Sequence, residues 1–273
     1  MRRLALRAGA ETLKWFRSEA LATETKADSS PVTVADRAAD AVIVDGLAAA
    51  LPSIPVVTEE RADSHAASGA DRYFLVDPLD GTKEFVSGRG DYTVNIGLIE
   101  NGVPTLGVVF APAKKRLFWT PDYELAVQES GEIASDSNGA GRCLTVANAD
   151  NAALRVVASK SHRTPETDAY IAHYRVSDLV SAGSSLKFCL LAAGEADLYP
   201  RLGPTAEWDT AAGHAVLRAA GGIVEAMEGD RRSGPLAYDK PRLLNGHFIA
   251  YAPSVALHDA PDDARQGETA RAE

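Results

Sequence analysis

Asp77-Pro78-Leu79-Asp80-Gly81-Thr82-Lys83-Glu84-Phe85 is the stretch around which the rest of the chain is read. The run before it, Arg72-Tyr73-Phe74-Leu75-Val76, is aromatic and β-branched and reads as a buried strand. The strand is therefore expected to end on Asp77, with the chain turning at once through Pro78 and Gly81. Two carboxylates three residues apart on a stiff turn repel unless something positive lies between them. A hard divalent cation, Mg2+ most naturally, would relieve that repulsion, because it takes oxygen ligands. An ordinary turn whose Asp side chains bond their own backbone accounts for the stretch equally well. The two readings stay open until the other acidic motifs are considered.

The chain has 273 residues, more than one core usually holds, so two packed subdomains or one large α/β unit are expected. A net charge of -10 argues against a nucleic-acid partner, which needs a basic face. A phosphorylated substrate would then need local positive charge from metal ions or a few Lys and Arg. Cys143 and Cys189 lie in apolar surroundings without metal-type spacing, as reduced buried thiols of a cytoplasmic protein would. No run reaches membrane-spanning length. The start Met1-Arg2-Arg3-Leu4-Ala5-Leu6 looks like a leader, but Arg7, Glu11 and Lys14 interrupt it, so an amphipathic helix is the better reading.

Helical spacing of Leu6, Ala10, Leu13, Phe16 and Leu21 predicts a helix over 2–23. After the loop 26–33, Thr33 can cap a second helix, 34–51, with Asp36 in its first turn. Val56-Val57-Thr58 is a short strand ending on Glu59-Glu60, and 61–71 reads as a mobile loop. An antiparallel run follows: 92–100, the Asn101-Gly102 turn, 105–111, 116–120 and 124–128, with 144–147 as a further strand. From there strands at 154–159, 175–179, 196–200 and 223–226 alternate with helices at 165–173, 184–193 and 209–219, which implies a second sheet covered by helices. Three parts result: residues 1–143 with most acidic motifs, 144–253 with the alternating elements, and a charged tail, 254–273, expected to be disordered.

The acidic features share one design. Glu59 and Glu60, Asp77 and Asp80, Asp36, and Asp209 in Trp208-Asp209-Thr210-Ala211-Ala212-Gly213 all sit where a regular element begins or ends. Glu60 reads as a supporting or surface acid, Glu84 as solvated, and His214 as structural; His162 is a candidate substrate contact. A haloacid-dehalogenase-type site is disfavoured, because its two Asp lie at i and i+2, whereas here they lie at i and i+3 around a proline.

The Glu-Glu pair, the Asp-Pro-Leu-Asp-Gly-Thr block and Trp208-Asp209 about 130 residues on together resemble the lithium-sensitive, Mg2+-dependent phosphatase superfamily that includes inositol monophosphatase. Within it the chain is most similar to the 3'(2'),5'-bisphosphate nucleotidases of the CysQ type. The residues that say so are Ser29 to Asp36, Gly183-Ser184-Ser185-Leu186-Lys187-Phe188-Cys189-Leu190, Tyr199-Pro200-Arg201 and Gly203-Pro204-Thr205.

The resemblance implies an α/β (α+β) fold, a layered αβαβα sandwich of the inositol monophosphatase/fructose-1,6-bisphosphatase type. It implies a cytoplasmic hydrolase, free or peripheral on the inner membrane face, monomeric or dimeric, with two or three Mg2+ ions. Glu59, Asp77 and the Leu79 carbonyl would hold one ion; Asp77, Asp80 and Asp209 would hold a second. Gly81 and Thr82 would bind the scissile phosphate, Asp36 and Thr82 would prepare the attacking water, and Ser184 and Lys187 would grip the second phosphate or the nucleoside. Adenosine 3',5'-bisphosphate, a by-product of sulfate activation, would be split to AMP and phosphate by in-line attack of a metal-activated water. The rivals are an inositol, sugar or histidinol phosphate phosphatase of the same superfamily and, from another class, a non-catalytic metal and nucleotide sensor. Ala206-Glu207 before Trp208 departs from the pattern, and the sequence offers no role for that extra acid.

Overall fold

The computed structural model describes residues 1–19, 23–25, 31–134, 141–159, 163–229 and 231–258. Six α-helices are found among them: α1 (Arg2–Trp15), α2 (Val34–Ala50), α3 (Thr82–Val86), α4 (Pro165–Ile171), α5 (Leu186–Ala192) and α6 (Ala211–Ala219). A seven-stranded sheet runs in the order Val56–Thr58, Arg72–Asp80, Thr93–Glu100, Val103–Ala111, Arg116–Trp119, Val127–Ser130, Arg142–Cys143. Its first pair is parallel and the rest are antiparallel. A six-stranded sheet has the order Val176–Ala182, Leu154–Ser159, Leu198–Arg201, Phe248–Tyr251, Ile223–Glu228, Arg231–Pro235.

Side-chain alternation along the strands sorts these elements into five layers. Val94, Ile96, Val108 and Phe110 send one face of the first sheet against Ala5, Leu6, Ala39 and Ile43 of α1 and α2. Their neighbours Val109, Ala111 and Phe118 face the opposite way, into a core with Leu186 and Phe188 of α5 and Val216 and Leu217 of α6. The same core takes Val157, Phe248 and Ala250 from the second sheet. Val156, Leu198 and Ile249 point to the far side, against Tyr170 and Ile171 of α4. The result is the expected αβαβα sandwich. Residues 93–99 are buried without a break, as expected of a strand covered on both faces, and most of them are apolar.

Several local expectations change. Helix α1 stops at Trp15 because Phe16 is extended and Arg17 is left-handed; its buried face is Ala5, Leu6, Ala8, Gly9 and Thr12, and Leu13 is exposed. The strand carrying the central motif runs on to Asp80, with an irregularity between Asp77 and Asp80, instead of ending at Asp77. The loop expected to be mobile forms 3-10 turns, Ala62–Gly69, bonded back to Thr58 through Ser64 and His65. The strand expected at 144–147 is absent, and Arg142–Cys143 pairs in its place, leaving Cys143 exposed rather than buried; Cys189 is buried. Strands Arg231–Pro235 and Phe248–Tyr251 have no counterpart in the sequence reading. Residues 254–258 of the expected disordered tail are packed: Val255 is buried, and Ser254 and Asn151 join the segment to the loop 149–151. Residues 259–273 lie outside the described residues.

Helix α6 crosses the first sheet over two glycines. Gly97 and Gly107 are direct cross-strand partners. A Cβ on Gly107 would stand 2.3 Å from the Ala212 carbonyl oxygen, and one on Gly97 3.0 Å from the Ala211 Cβ. Small residues on both surfaces thus let the helix that begins after Asp209 lie directly on the sheet that carries Asp77. Gly107→Ala is expected to destabilise the protein by about 1–3 kcal/mol in urea denaturation. Gly69→Ala, where the added atom meets nothing within 4 Å, is expected to leave stability nearly unchanged.

Candidate active site

The acidic motifs converge. One carboxylate oxygen each from Asp77, Asp80 and Asp209 lies within 4.8 Å of the others. Each arrives by a different constraint. Asp77 is buried on the strand Arg72–Asp80, and its Oδ1 accepts the Leu79 N–H at 3.0 Å, which turns the chain through Pro78. Asp80 closes the irregularity; its Oδ2 accepts from Ser185 N (2.7 Å) and Asn95 Nδ2 (3.1 Å). Asp209 is held before α6 by Thr205 Oγ1 (2.6 Å) and Ala206 N (3.0 Å), both donating to its Oδ2. Glu59 follows the parallel strand paired with 74–76, and its N–H bonds Val76 O at 3.1 Å, which brings it beside Asp77.

Burial is the largest cause raising the Asp77 carboxyl well above the ordinary carboxylate range, followed by the charges of Glu59, Asp80 and Asp209. Asp80 is pushed up to about 7, again by burial first and by Asp209, although Lys187, Asn95 and Ser185 pull it back. Asp209 is raised by burial and by Glu59. Hard oxygen donors converging with this mutual repulsion are the donor set of a divalent-cation site.

The cluster opens into a cavity of about 450 Å³ lined by Glu59, Asp80, Gly81, Thr82, Lys187 and Asp209, among others. Gly81 is left-handed (φ 91°), and α3 starts directly after it at Thr82. The Thr82 hydroxyl is 3.3 Å from both Asp36 Oδ1 and Leu79 O. Asp36 is itself fixed by the capping box of α2. Thr33 N and Thr33 Oγ1 donate to its Oδ2 at 2.7 and 2.6 Å, while Thr33 Oγ1 accepts from Ala35 N. In the same cavity lining, Ser184 is left-handed (φ 49°), and its buried Oγ has no hydrogen-bond partner among the described residues. Lys187 is buried, donates to Ser184 O at 2.6 Å and lies over the Tyr199 ring. Burial lowers its ammonium to about 8, against the pull of Asp80.

Of the residues singled out from the sequence, Asp36, Glu59, Asp77, Leu79, Asp80, Gly81, Thr82, Ser184, Lys187 and Asp209 therefore belong to one neighbourhood. His162 lies outside the described residues. Glu84, expected to be solvated, is buried, lines the cavity and pairs with Arg89 at 3.8 Å. His214 is buried against the Tyr238 hydroxyl and is held neutral by burial, with its pKa lowered to about 3.

Glu207 now has a role. Fully buried, its carboxylate accepts the N–H groups of Asp239 and Lys240 and pairs with Lys240 Nζ at 2.7 Å. That segment contains left-handed Asp239, Arg242 and Leu243. Glu207 pins this loop beneath the turn that presents Asp209. Sequence reasoning gave no roles to Asn95, Ser185, Thr205 or Arg201. Arg201 lines the cavity, and its buried Nε has no partner among the described residues. A lone Asn within the apolar run 93–99 was the available signal for the first of these.

Residues 2–260 match the model of the inositol monophosphatase family. The chain is 44% identical over 226 residues to the 3'(2'),5'-bisphosphate nucleotidase CysQ of Shigella flexneri, covering 82% of this chain and 86% of that protein. It is 39% identical over 251 residues to the CysQ of Buchnera aphidicola, covering 91% of each. The crystal structure of CysQ from Bacteroides thetaiotaomicron superposes with a TM-score of 0.77 at 40% identity, covering 92% of this chain and 94% of that one.

The raised carboxyls make the metal-free protein sensitive to pH. The folded chain holds protons that an unfolded Asp, at 3.8, releases, so stability is present at low pH and is lost as pH rises through about 7, the Asp80 value. In chelator, the melting temperature is expected to fall between about pH 4 and pH 7, and Asp80→Asn should flatten that fall in calorimetric scans.

Proposed function

The chain belongs to the inositol monophosphatase family, and on that premise we propose that it is a 3'(2'),5'-bisphosphate nucleotidase, removing the 3'-phosphate of adenosine 3',5'-bisphosphate to give AMP and phosphate. The observation that carries this reading is the meeting, in one cavity, of a convergent carboxylate cluster with the buried Ser184 and Lys187. The names of the relatives support the choice of substrate.

Magnesium suits the all-oxygen donor set. Glu59, Asp77 and the Leu79 carbonyl would hold one ion, and Asp77, Asp80 and Asp209 a second. Bound there, Mg2+ would neutralise phosphoryl charge and make a water more acidic. The remaining work falls to the chain. Thr82 can donate to Asp36 Oδ1 while its oxygen accepts from a water, so the water is oriented and its proton has a path to the Asp36 carboxylate. Asp36 is suited to that role because Thr33 holds it through Oδ2, turning Oδ1 toward Thr82. Gly81 and Thr82 offer first-turn N–H groups of α3 to the scissile phosphate. Lys187, still charged at neutral pH, and the Ser184 hydroxyl meet the second phosphate or the nucleoside. The orphaned Arg201 Nε adds a donor on the same wall.

No helix among the described residues is long and apolar enough to cross a membrane. The cytoplasm is the compartment we propose, on the strength of two free cysteines.

A phosphate-release panel with Mg2+ tests the reading. Adenosine 3',5'-bisphosphate is expected to turn over faster than inositol 1-phosphate, fructose 1,6-bisphosphate or histidinol phosphate, and a higher rate on any of these three overturns the substrate. Asp77→Asn is expected to leave less than about a tenth of the activity at saturating Mg2+. Thr82→Ala should lower kcat with little change in the Mg2+ concentration for half-maximal rate.

A further inference from the structure

Asp80 and Asp209 come from different sheets' territories, one closing a strand of the first sheet and the other entering α6. No hydrogen bond joins them directly among the described residues, yet one residue touches both segments. Ser185, buried at the head of α5, donates its backbone N–H to Asp80 Oδ2 at 2.7 Å. Its hydroxyl donates to the backbone carbonyl of Asp209 at 2.5 Å. The same hydroxyl accepts from Asn95 Nδ2 at 2.9 Å, and Asn95 Nδ2 also reaches Asp80 Oδ2 at 3.1 Å. The serine is thus fully used, with its one hydroxyl hydrogen spent on Asp209 and a lone pair on Asn95.

The position of Ser185 is itself over-determined. Ser184 before it is left-handed, and Gly183 is pressed so closely on the first subdomain that a Cβ there would stand 2.5 Å from Asp91 O. A wedge inserted this tightly has little freedom to slide. Among the described residues the hydrogen bonds to the Asp80 and Asp209 side chains all fall on Oδ2, so one oxygen of each acid is tied back into the protein.

We infer that Ser185 is a positioning residue that sets the separation and orientation of Asp80 and Asp209, so that the ion-holding acids and the Ser184–Lys187 segment move as one body. The inference rests on the proposed roles of those acids and goes beyond them. Ser185 does not line the cavity and acts through the Asp80 carboxylate and the Asp209 main chain. Removing its hydroxyl takes the side-chain donor from the half-buried Asp209 carbonyl and frees the Asp209 turn from Asn95, while the backbone bond to Asp80 survives.

Calorimetric titration of nucleotide-free protein with Mg2+ separates this from general loosening. Ser185→Ala is expected to bind Mg2+ about tenfold more weakly than wild type, the usual order when a group supporting a metal ligand is lost. Leu154→Ala, which opens the distant core against α4, is expected to keep Mg2+ affinity within about twofold of wild type despite its lower melting temperature. Should Ser185→Ala not fold, Asn95→Ala, which takes a donor from both Ser185 and Asp80, carries the same expectation. Wild-type affinity in the Ser185 or Asn95 variant, or an equal loss in Leu154→Ala, overturns the inference. Absence of Mg2+ uptake by the wild type overturns the assignment of the acids and this inference with it.

Discussion

Repulsion among carboxylates held together, one buried and two half-buried, is the constraint on which the rest of the structure depends. Asp77, Asp80 and Asp209 would separate if their chains were free to relax, because burial strengthens every unscreened charge interaction. Each is instead anchored by donors outside the cluster: Leu79 N for Asp77, Ser185 and Asn95 for Asp80, Thr205 and Ala206 for Asp209. The anchors leave the acids convergent and short of positive charge. Rigid secondary structure around them stores that frustration, and a divalent cation would relieve it.

The architecture explains how the anchors reach the site. Helices α5 and α6 are shared between the two sheets, packing into a single core with Phe118 from one and Phe248 from the other. Because they belong to neither sheet alone, their N-terminal ends can present Ser185 and Asp209 to a strand formed more than a hundred residues earlier. The glycine pair Gly97 and Gly107 lowers α6 onto that strand's neighbours, and the Glu207 clasp supports the turn from below.

Much of this was legible beforehand, and for identifiable reasons. The capping box of Thr33 and Asp36, the Asn101-Gly102 turn with both residues left-handed, and strand Leu154–Ser159 are local features set by a few adjacent residues. The extent of α1 was overestimated because helical spacing continues past Trp15 in sequence, while Phe16 turns away to pack on Phe85 and Tyr92. Strands Arg231–Pro235 and Phe248–Tyr251 have no such signal because no α-helix among the described residues lies between residues 223 and 251, so the alternating rhythm ends there. Glu84 and Cys143 were misassigned because burial depends on what covers a residue, and neither covering segment nor open edge is local.

By itself the sequence determined the chemistry: the acids that gather near the ends of elements, the stiff turn of Pro78 and Gly81, and the Ser-Ser-Leu-Lys segment that marks the second wall. These are short-range choices, encoded in residue type and spacing. Only the tertiary structure decided that Glu207 is a clasp rather than a ligand, that Asn95 is part of the site, and that Ser185 binds Asp80 and Asp209 at once. Those facts are contacts between segments far apart in the chain, and a hydrogen bond across such a distance leaves no periodicity for the sequence to display.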